Sequence, residues 1–287
     1  MSDRQDRTSE HGESPEILVG IMHVTRDPWL SITRDGQLPS WKKSKFQNFS
    51  VVYFFSSATK LTTALSTFVE WLRWNKYRYA SYAIQLFLLI SFRPWIRYIP
   101  TGTLVDQSES KINALALKVN IPELISTMRW KKLAFLKYFL EETSADFVII
   151  STASSILNMD LIVEILSKLK NTDQPLYGGK IHHNHKVQDF ASGSFTVLNR
   201  KSAALLLENT LLMPVHTNDD ISFGMAFERL GIQPIDMKSL DFASLEMLRE
   251  VPRNVLSEVP HFRLKSGPLG SRGDVEIMRE LCDEIYP

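Results

Sequence analysis

One cysteine, Cys282, stands in 287 residues. No internal disulfide framework can form, and a reducing compartment fits such a chain best. Cys282 lies in a C-terminal helical pattern, where it reads as a packing residue rather than a nucleophile. A charge excess of either sign is also missing. Lys and Arg number 33 against 32 Asp and Glu, for a formal net charge of +1, which removes any global argument for nucleic acid or an acidic partner. No apolar run reaches the ~20 residues of a spanning helix. The longest, AIQLFLLISF at 83–92, is closed by Arg93 and Pro94. Residues 1–15, MSDRQDRTSEHGESP, lack an apolar segment, which argues against a signal peptide and for a disordered leader.

Familiar phosphate motifs are absent too. No G-x-G-x-x-G opens a helix after the first strand and no G-x-x-x-x-G-K-[ST] occurs, which disfavours a dinucleotide fold or a P-loop. The string ASGS at 191–194 lacks the spacing of a hydrolase elbow. What remains is 44% hydrophobic and 23% charged, ordinary for a soluble globular protein.

Hydrophobic patterning then gives an α/β order. EILVGIMHV (16–24) and SVVYFFS (50–56) read as buried strands, separated by a turn-rich stretch containing DPW (27–29) and RDGQLPSW (34–41). Residues 121–145 fit an amphipathic helix with Leu124, Met128, Leu133, Leu136 and Leu140 near one face and Lys131 and Lys132 elsewhere. Strand FVII (147–150), helix MDLIVEILSKLK (159–170), strands LYGGKI (176–181) and GSFTVLNR (193–200), and helix KSAALLLENTL follow. A helix starts near Asp219 and Asp220, HFRLKSG (261–267) is extended, and RGDVEIMRELCDEI closes the chain as a helix. The expected fold is a central, mostly parallel sheet with helices on both faces, one domain over 16–287. Residues 61–99 interrupt it as two inserted helices. They are rich in aromatics and hold Arg73, Lys76, Arg78, Arg93 and Arg97 against Glu70 alone. That insertion either packs as a helical subdomain or rests on an anionic membrane surface.

Ligands of α/β proteins are met at strand ends. Here FVIISTASSILN (147–158) ends its strand in hydroxyls, with no charged group. The ordered series ILVG (17–20), RDGQLPSW, RWKKLAFLKYFLEETSADFVIISTASSILN (129–158), LYGGK (176–180), FASGSFTVLNRKSAALLL (190–207) and NDDISFGMAFERLGI (218–232) resembles the β-1,3-galactosyltransferase and Fringe-like family of GT-A glycosyltransferases. The likeness covers most of the chain outside 61–99.

This resemblance implies a GT-A-like fold and sugar transfer from a nucleotide-sugar donor to a glycan or lipid-linked acceptor. Asp220 matches the second acid of the family's E-D-V-x-x-G phrase and would be the general base, with Asp219 beside it. Both could instead cap the helix. Ser192 and Gly193 would line the pocket for donor and acceptor, and Arg34 would lie near the nucleotide.

The departure from the family is the strand tip. Thr152, Ala153 and Ser154 stand where the family's Asp-x-Asp would hold Mn²⁺ or Mg²⁺, and hydroxyls supply no charge for a hard cation. No metal cofactor is therefore expected, with Mn²⁺ or Mg²⁺ the alternative although the usual acidic ligands are absent. Instead His261, Arg263 and Lys265, alternating in an extended segment, would face the diphosphate together with Thr152 and Ser154. A late histidine often completes the metal site in GT-A enzymes, and His261 is the candidate by position. The cluster IHHNHK (181–186) cannot complete a tetrahedral metal set, and His183 is assigned to an acceptor loop. The expected activity is metal-independent, inverting sugar transfer in surface polysaccharide or glycoconjugate synthesis, cytoplasmic and peripheral on the inner face of the membrane. The rival expectation is a catalytically inactive protein that binds carbohydrate or nucleotide in the same cleft.

Overall fold

Ile17, Val19 and Ile21 alternate with Leu18, Gly20 and Met22 along strand β1 (Ile17–Met22), and all six are buried. Strands covered on both faces need such continuous apolar runs. In the computed structural model, which describes residues 14–46, 48–57, 99–123, 127–183, 188–214, 217–265, 267, 272–286 and scattered positions between 64 and 87, β1 sits inside an eight-stranded sheet. The leader and most of the 61–99 insertion lie outside the described residues.

The remaining strands are β2 (Phe49–Ser57), β3 (Gly102–Val105), β4 (Ala116–Pro122), β5 (Phe147–Thr152), β6 (Ser155–Leu157), β7 (Tyr177–His182), β8 (Phe190–Asn199), β9 (Ile235–Asp236), β10 (Ser239–Phe242) and β11 (His261–Leu264). The large sheet runs β3-β4-β2-β1-β5-β8-β7-β9. Strands β4, β2, β1 and β5 are parallel, while β3 and β8 run antiparallel to their neighbours. A three-stranded sheet, β10-β11-β6, adjoins it.

The alternation on β1 sorts the core into two layers. Leu18 and Met22 join Leu133, Phe135 and Leu136 of helix α1 (Met128–Glu142), with Leu206 of α3 (Arg200–Glu208) and Phe223 and Phe227 of α4 (Asp219–Arg229). On the opposite face Ile17, Val19 and Ile21 join Ile162, Val163 and Leu166 of α2 (Met159–Leu169). Helix α5 (Asp274–Ile285) packs Met278 and Leu281 on Phe262 and Leu264 of the small sheet. Gly20 is needed where α1 crosses β1, since a Cβ there would lie 2.0 Å from Cε1 of Phe135.

Two elements differ from the pattern expected in the sequence. The helix expected over 121–145 begins at Met128, because Leu117, Val119 and Ile121 alternate with Lys118 and Asn120 and pair as β4 with β2. Period two wins over period 3.6 there. The segment expected to be turn-rich instead forms consecutive helical turns from Trp29 to Lys43, including a π-helical turn at Ile32–Gln37. Pro39 is accepted because it falls in the first turn of Leu38–Ser40, where no intrahelical N–H is needed.

The chain steps outward from β1 to β2 and later returns to the other side of β1 at β5. That reversal leaves a crevice beyond the carboxyl ends of β1 and β5, the place where FVIISTASSILN ends its strand.

Candidate functional site

The tip of β5 is tied down from three directions. Gln37 Nε2 donates to the carbonyls of Thr152 at 2.9 Å and Ser155 at 2.8 Å. The Thr152 and Ser155 hydroxyls lie 3.0 Å apart. Leu264 N donates to the Ser154 carbonyl at 2.8 Å, which docks β11 against the tip. Asn158 caps α2 by accepting from Leu161 N at 3.3 Å.

His261 does not face the crevice as expected. It is fully buried, its ring stacks on Phe195 at 4.6 Å, and its nitrogens meet Ser239 Oγ at 2.7 Å and Ser155 Oγ at 3.1 Å. Burial, reinforced by Arg263 and Lys180, pushes its pKa down to about 3. The imidazole is a neutral strut, with neither nitrogen left for phosphate or metal. His23, immediately after β1, is likewise buried between Thr33 Oγ1 and the Ser110 carbonyl, each at 3.2 Å. Desolvation takes its pKa down to about 4.

Both imidazoles take up a proton on unfolding near pH 6.5. The folded state therefore binds fewer protons below that value, and their stabilisation is complete above pH 6.5 and declines as pH falls. The expected slope is up to about 1.4 kcal/mol per pH unit for each histidine. Urea midpoints should drop between pH 6.5 and 5, and His261→Gln should flatten the slope. A wild-type midpoint constant over that range contradicts the assignment.

The acidic pair divides. Both residues open α4 behind Asn218, where the helix dipole favours anions. Asp219 turns to α1 and forms an ion pair with Lys132, the two side chains being 14% and 1% exposed. Burial works against its ionisation, but Lys132 outweighs that and holds the Asp219 pKa below the usual carboxylate value. Lys132 Nζ also donates to the Gly193 carbonyl at 3.2 Å. Among the described residues Asp220 meets only backbone donors, Ile221 N at 2.9 Å and Gly193 N at 3.4 Å. A Cβ on Gly193 would lie 2.9 Å from Lys132 Nζ and 3.4 Å from Asp219 Oδ2, so a glycine lets both acids approach β8.

The cations of α1 were hidden in the sequence. Arg129, Lys131 and Lys132 are all buried. Lys131 Nζ donates to both oxygens of Glu123 at 2.6 and 2.8 Å, and Glu123 Oε2 accepts from Ser56 N at 3.0 Å, fixing the end of β2. Arg129 Nη1 donates to the Pro214 carbonyl at 2.6 Å, in the segment leading to α4.

On the other side of the crevice, Arg263 is half-buried and makes no hydrogen bond or ion pair with a described residue. Burial lowers its pKa, while Asp241 and Asp220 oppose that; it stays protonated. Lys265 donates to Asp241 at 2.6 Å and Lys180 of β7 to the same carboxylate at 2.8 Å. His182 also feels this cluster. Desolvation and Lys180 lower its pKa, and Asp220, Arg263 and Lys265 act on it as well. Asp220 and Arg263 are thus within electrostatic reach of one another.

Three other expected residues lie elsewhere. His183, assigned to an acceptor loop, is exposed with Nδ1 2.9 Å from Asp189 Oδ2, and its neighbour His182 is the histidine within electrostatic reach of Asp220. Arg34 is exposed and pairs with its neighbour Asp35 at 2.7 and 2.8 Å. Ser192 is buried, its hydroxyl 2.9 Å from that of Ser194. A divalent metal does not fit the β5 tip, because Thr152, Ala153 and Ser154 supply no carboxylate. Among the described residues no three His, Cys, Asp or Glu side chains cluster to share an ion.

No family model and no curated protein matches the chain. Among solved structures, a mannosyltransferase from Pyrobaculum calidifontis in complex with GDP-Man and Mn²⁺ aligns over 93% of this chain at 14% identity with a TM-score of 0.42. The alignment covers 61% of that mannosyltransferase. An active-site mutant of LgtC aligns over 93% of this chain and 95% of its own at 11% identity, TM-score 0.41. At such scores neither likeness decides the fold or the chemistry, which rest on this chain's own residues.

Proposed function

We propose that the protein transfers a sugar from a nucleotide-sugar donor to a hydroxyl acceptor, in the manner of a GT-A glycosyltransferase related to the Fringe-like family. One observation supports the proposal: Asp220, with no cationic partner in direct contact among the described residues, is within electrostatic reach of Arg263, a half-buried arginine that makes no hydrogen bond or ion pair among them. The guanidinium is only partly covered, so its fork is open to an anion that enters from solvent.

Asp220 accepts the proton of the acceptor hydroxyl as its oxygen attacks the anomeric carbon. The bond from that carbon to the diphosphate oxygen breaks, and the nucleoside diphosphate leaves with the electron pair, its charge met by Arg263 and Lys265. Asp219 is committed to Lys132, and Asp241 to Lys180 and Lys265, so neither is assigned as a nucleophile, and a single displacement inverts the anomeric configuration. Protein cations stand in for the metal that the tip does not suit. The acceptor is a glycan or a lipid-linked sugar. With a lipid-linked acceptor, the aromatic and basic stretch 61–99 would rest on an anionic membrane surface from the cytoplasmic side; no helix of the described residues is long and apolar enough to cross one.

The uncharged tip also favours a second reading, a cleft that binds donor without turnover. Nucleoside diphosphates should raise the melting temperature through binding. Nucleotide sugars screened with mixed acceptors should release nucleoside diphosphate at the same rate in EDTA. Release that requires Mn²⁺ rejects the cationic clamp, and binding without release across all acceptors favours the binder.

A further inference from the structure

Asp241 of β10 holds two ammonium groups at once. Lys180 donates to Oδ1 at 2.8 Å and Lys265 to Oδ2 at 2.6 Å. In the β10–β11 register Asp241 stands directly opposite Arg263, yet the guanidinium makes no bond to it. Each oxygen of Asp241 already accepts one ammonium, so its charge is offset by the two lysines rather than by the arginine fork. Three cations therefore gather around Asp241, with Asp220 and His182 within electrostatic reach of them. The side chains are only partly covered: Lys180 is 22% exposed, Asp241 28% and Lys265 50%. Lysines on flexible stems at such exposure can exchange one anion for another.

We infer that Asp241 is an internal counter-ion holding the charge position taken by the donor's diphosphate, and that Lys180 belongs to the clamp with Arg263 and Lys265. The inference rests on the donor chemistry proposed above. In the empty protein Asp241 keeps the lysines gathered beside Arg263. When a diphosphate arrives, its oxygens take the open fork of Arg263 and draw both ammonium groups from Asp241. The same carboxylate that gathers the clamp therefore competes with the ligand for it, and sets its affinity below what three unopposed cations would reach.

Titration calorimetry with inorganic pyrophosphate at low ionic strength tests this. Asp241→Asn keeps a carbonyl oxygen that can tether one lysine but removes the competing charge. Pyrophosphate should bind that variant about fivefold tighter than wild type. Lys180→Gln, which does not depend on the Asp241 variant folding, should bind it about fivefold more weakly. Unchanged or weaker binding in Asp241→Asn overturns the counter-ion role. Unchanged binding in Lys180→Gln removes Lys180 from the clamp, and absence of pyrophosphate binding in every form overturns both. The readout is independent of transfer. Tightening in Asp241→Asn without sugar transfer by wild type keeps this inference and rejects the enzymatic reading; transfer without tightening does the reverse.

Discussion

Asp220→Asn lowers the rate of sugar transfer by about 10²- to 10⁴-fold, the usual contribution of a positioned general base, with little change in melting temperature. Asparagine keeps one oxygen for Ile221 N, which donates to Oδ1 at 2.9 Å, and gives up only the longer bond from Gly193 N to Oδ2 at 3.4 Å. The lost charge at the start of α4 costs about 0.3–1 kcal/mol. Donor affinity should change little, because the deleted charge acts on the acceptor proton. The fall therefore belongs in kcat, with KM for the donor near wild type. Asp219→Asn is the informative neighbour. It unbalances the buried pair with Lys132 and should lower stability more than it alters the chemistry per folded molecule. If Asp219→Asn abolishes turnover in a stable protein while Asp220→Asn works normally, the roles are exchanged.

That asymmetry was not legible in the sequence, where Asp219 and Asp220 are adjacent acids of equal standing. It is fixed by Lys132 and Gly193, which the sequence places far away. RWKK reads as a solvated helical face, because Lys and Arg are rarely buried without partners. The partners Glu123 and Asp219 come from separate segments. The strand at FVII was legible because an uninterrupted apolar run permits little else in an α/β chain, and β5 is buried as expected. The alternation in HFRLKSG also held, as β11 with Phe262 and Leu264 in the core. It could place His261, Arg263 and Lys265 on one face, but not their depth. That depends on Phe195 and Ser239 closing over His261, while Asp241 and Lys180 gather around the more exposed end of the strand.

Lys132→Met should be the most destabilising single change at the site. The ammonium is 1% exposed and pairs with Asp219, donates to the Gly193 carbonyl and lies 5.9 Å from the Phe223 ring centre. Methionine fills similar volume, so the loss is electrostatic: a buried carboxylate keeps its charge without a partner, which costs about 3–5 kcal/mol. In a domain of this size that corresponds to a drop of roughly 10 °C in melting temperature. A pH signature accompanies it. In wild type the Asp219 pKa is depressed below its unfolded value, so its stabilisation is present above the unfolded pKa and lost as pH falls through the folded one. Without Lys132 desolvation is opposed only by a backbone N–H and Arg129, the pKa rises, and Lys132→Met should gain stability relative to wild type on mild acidification. Adding Asp219→Asn removes the orphaned charge and should restore most of the melting temperature. A single variant as stable as wild type, or a double variant no better than the single, means that the pair does not hold α1 and α4 together at the crevice. In that case Asp220 loses the support that aims it at the strand tip.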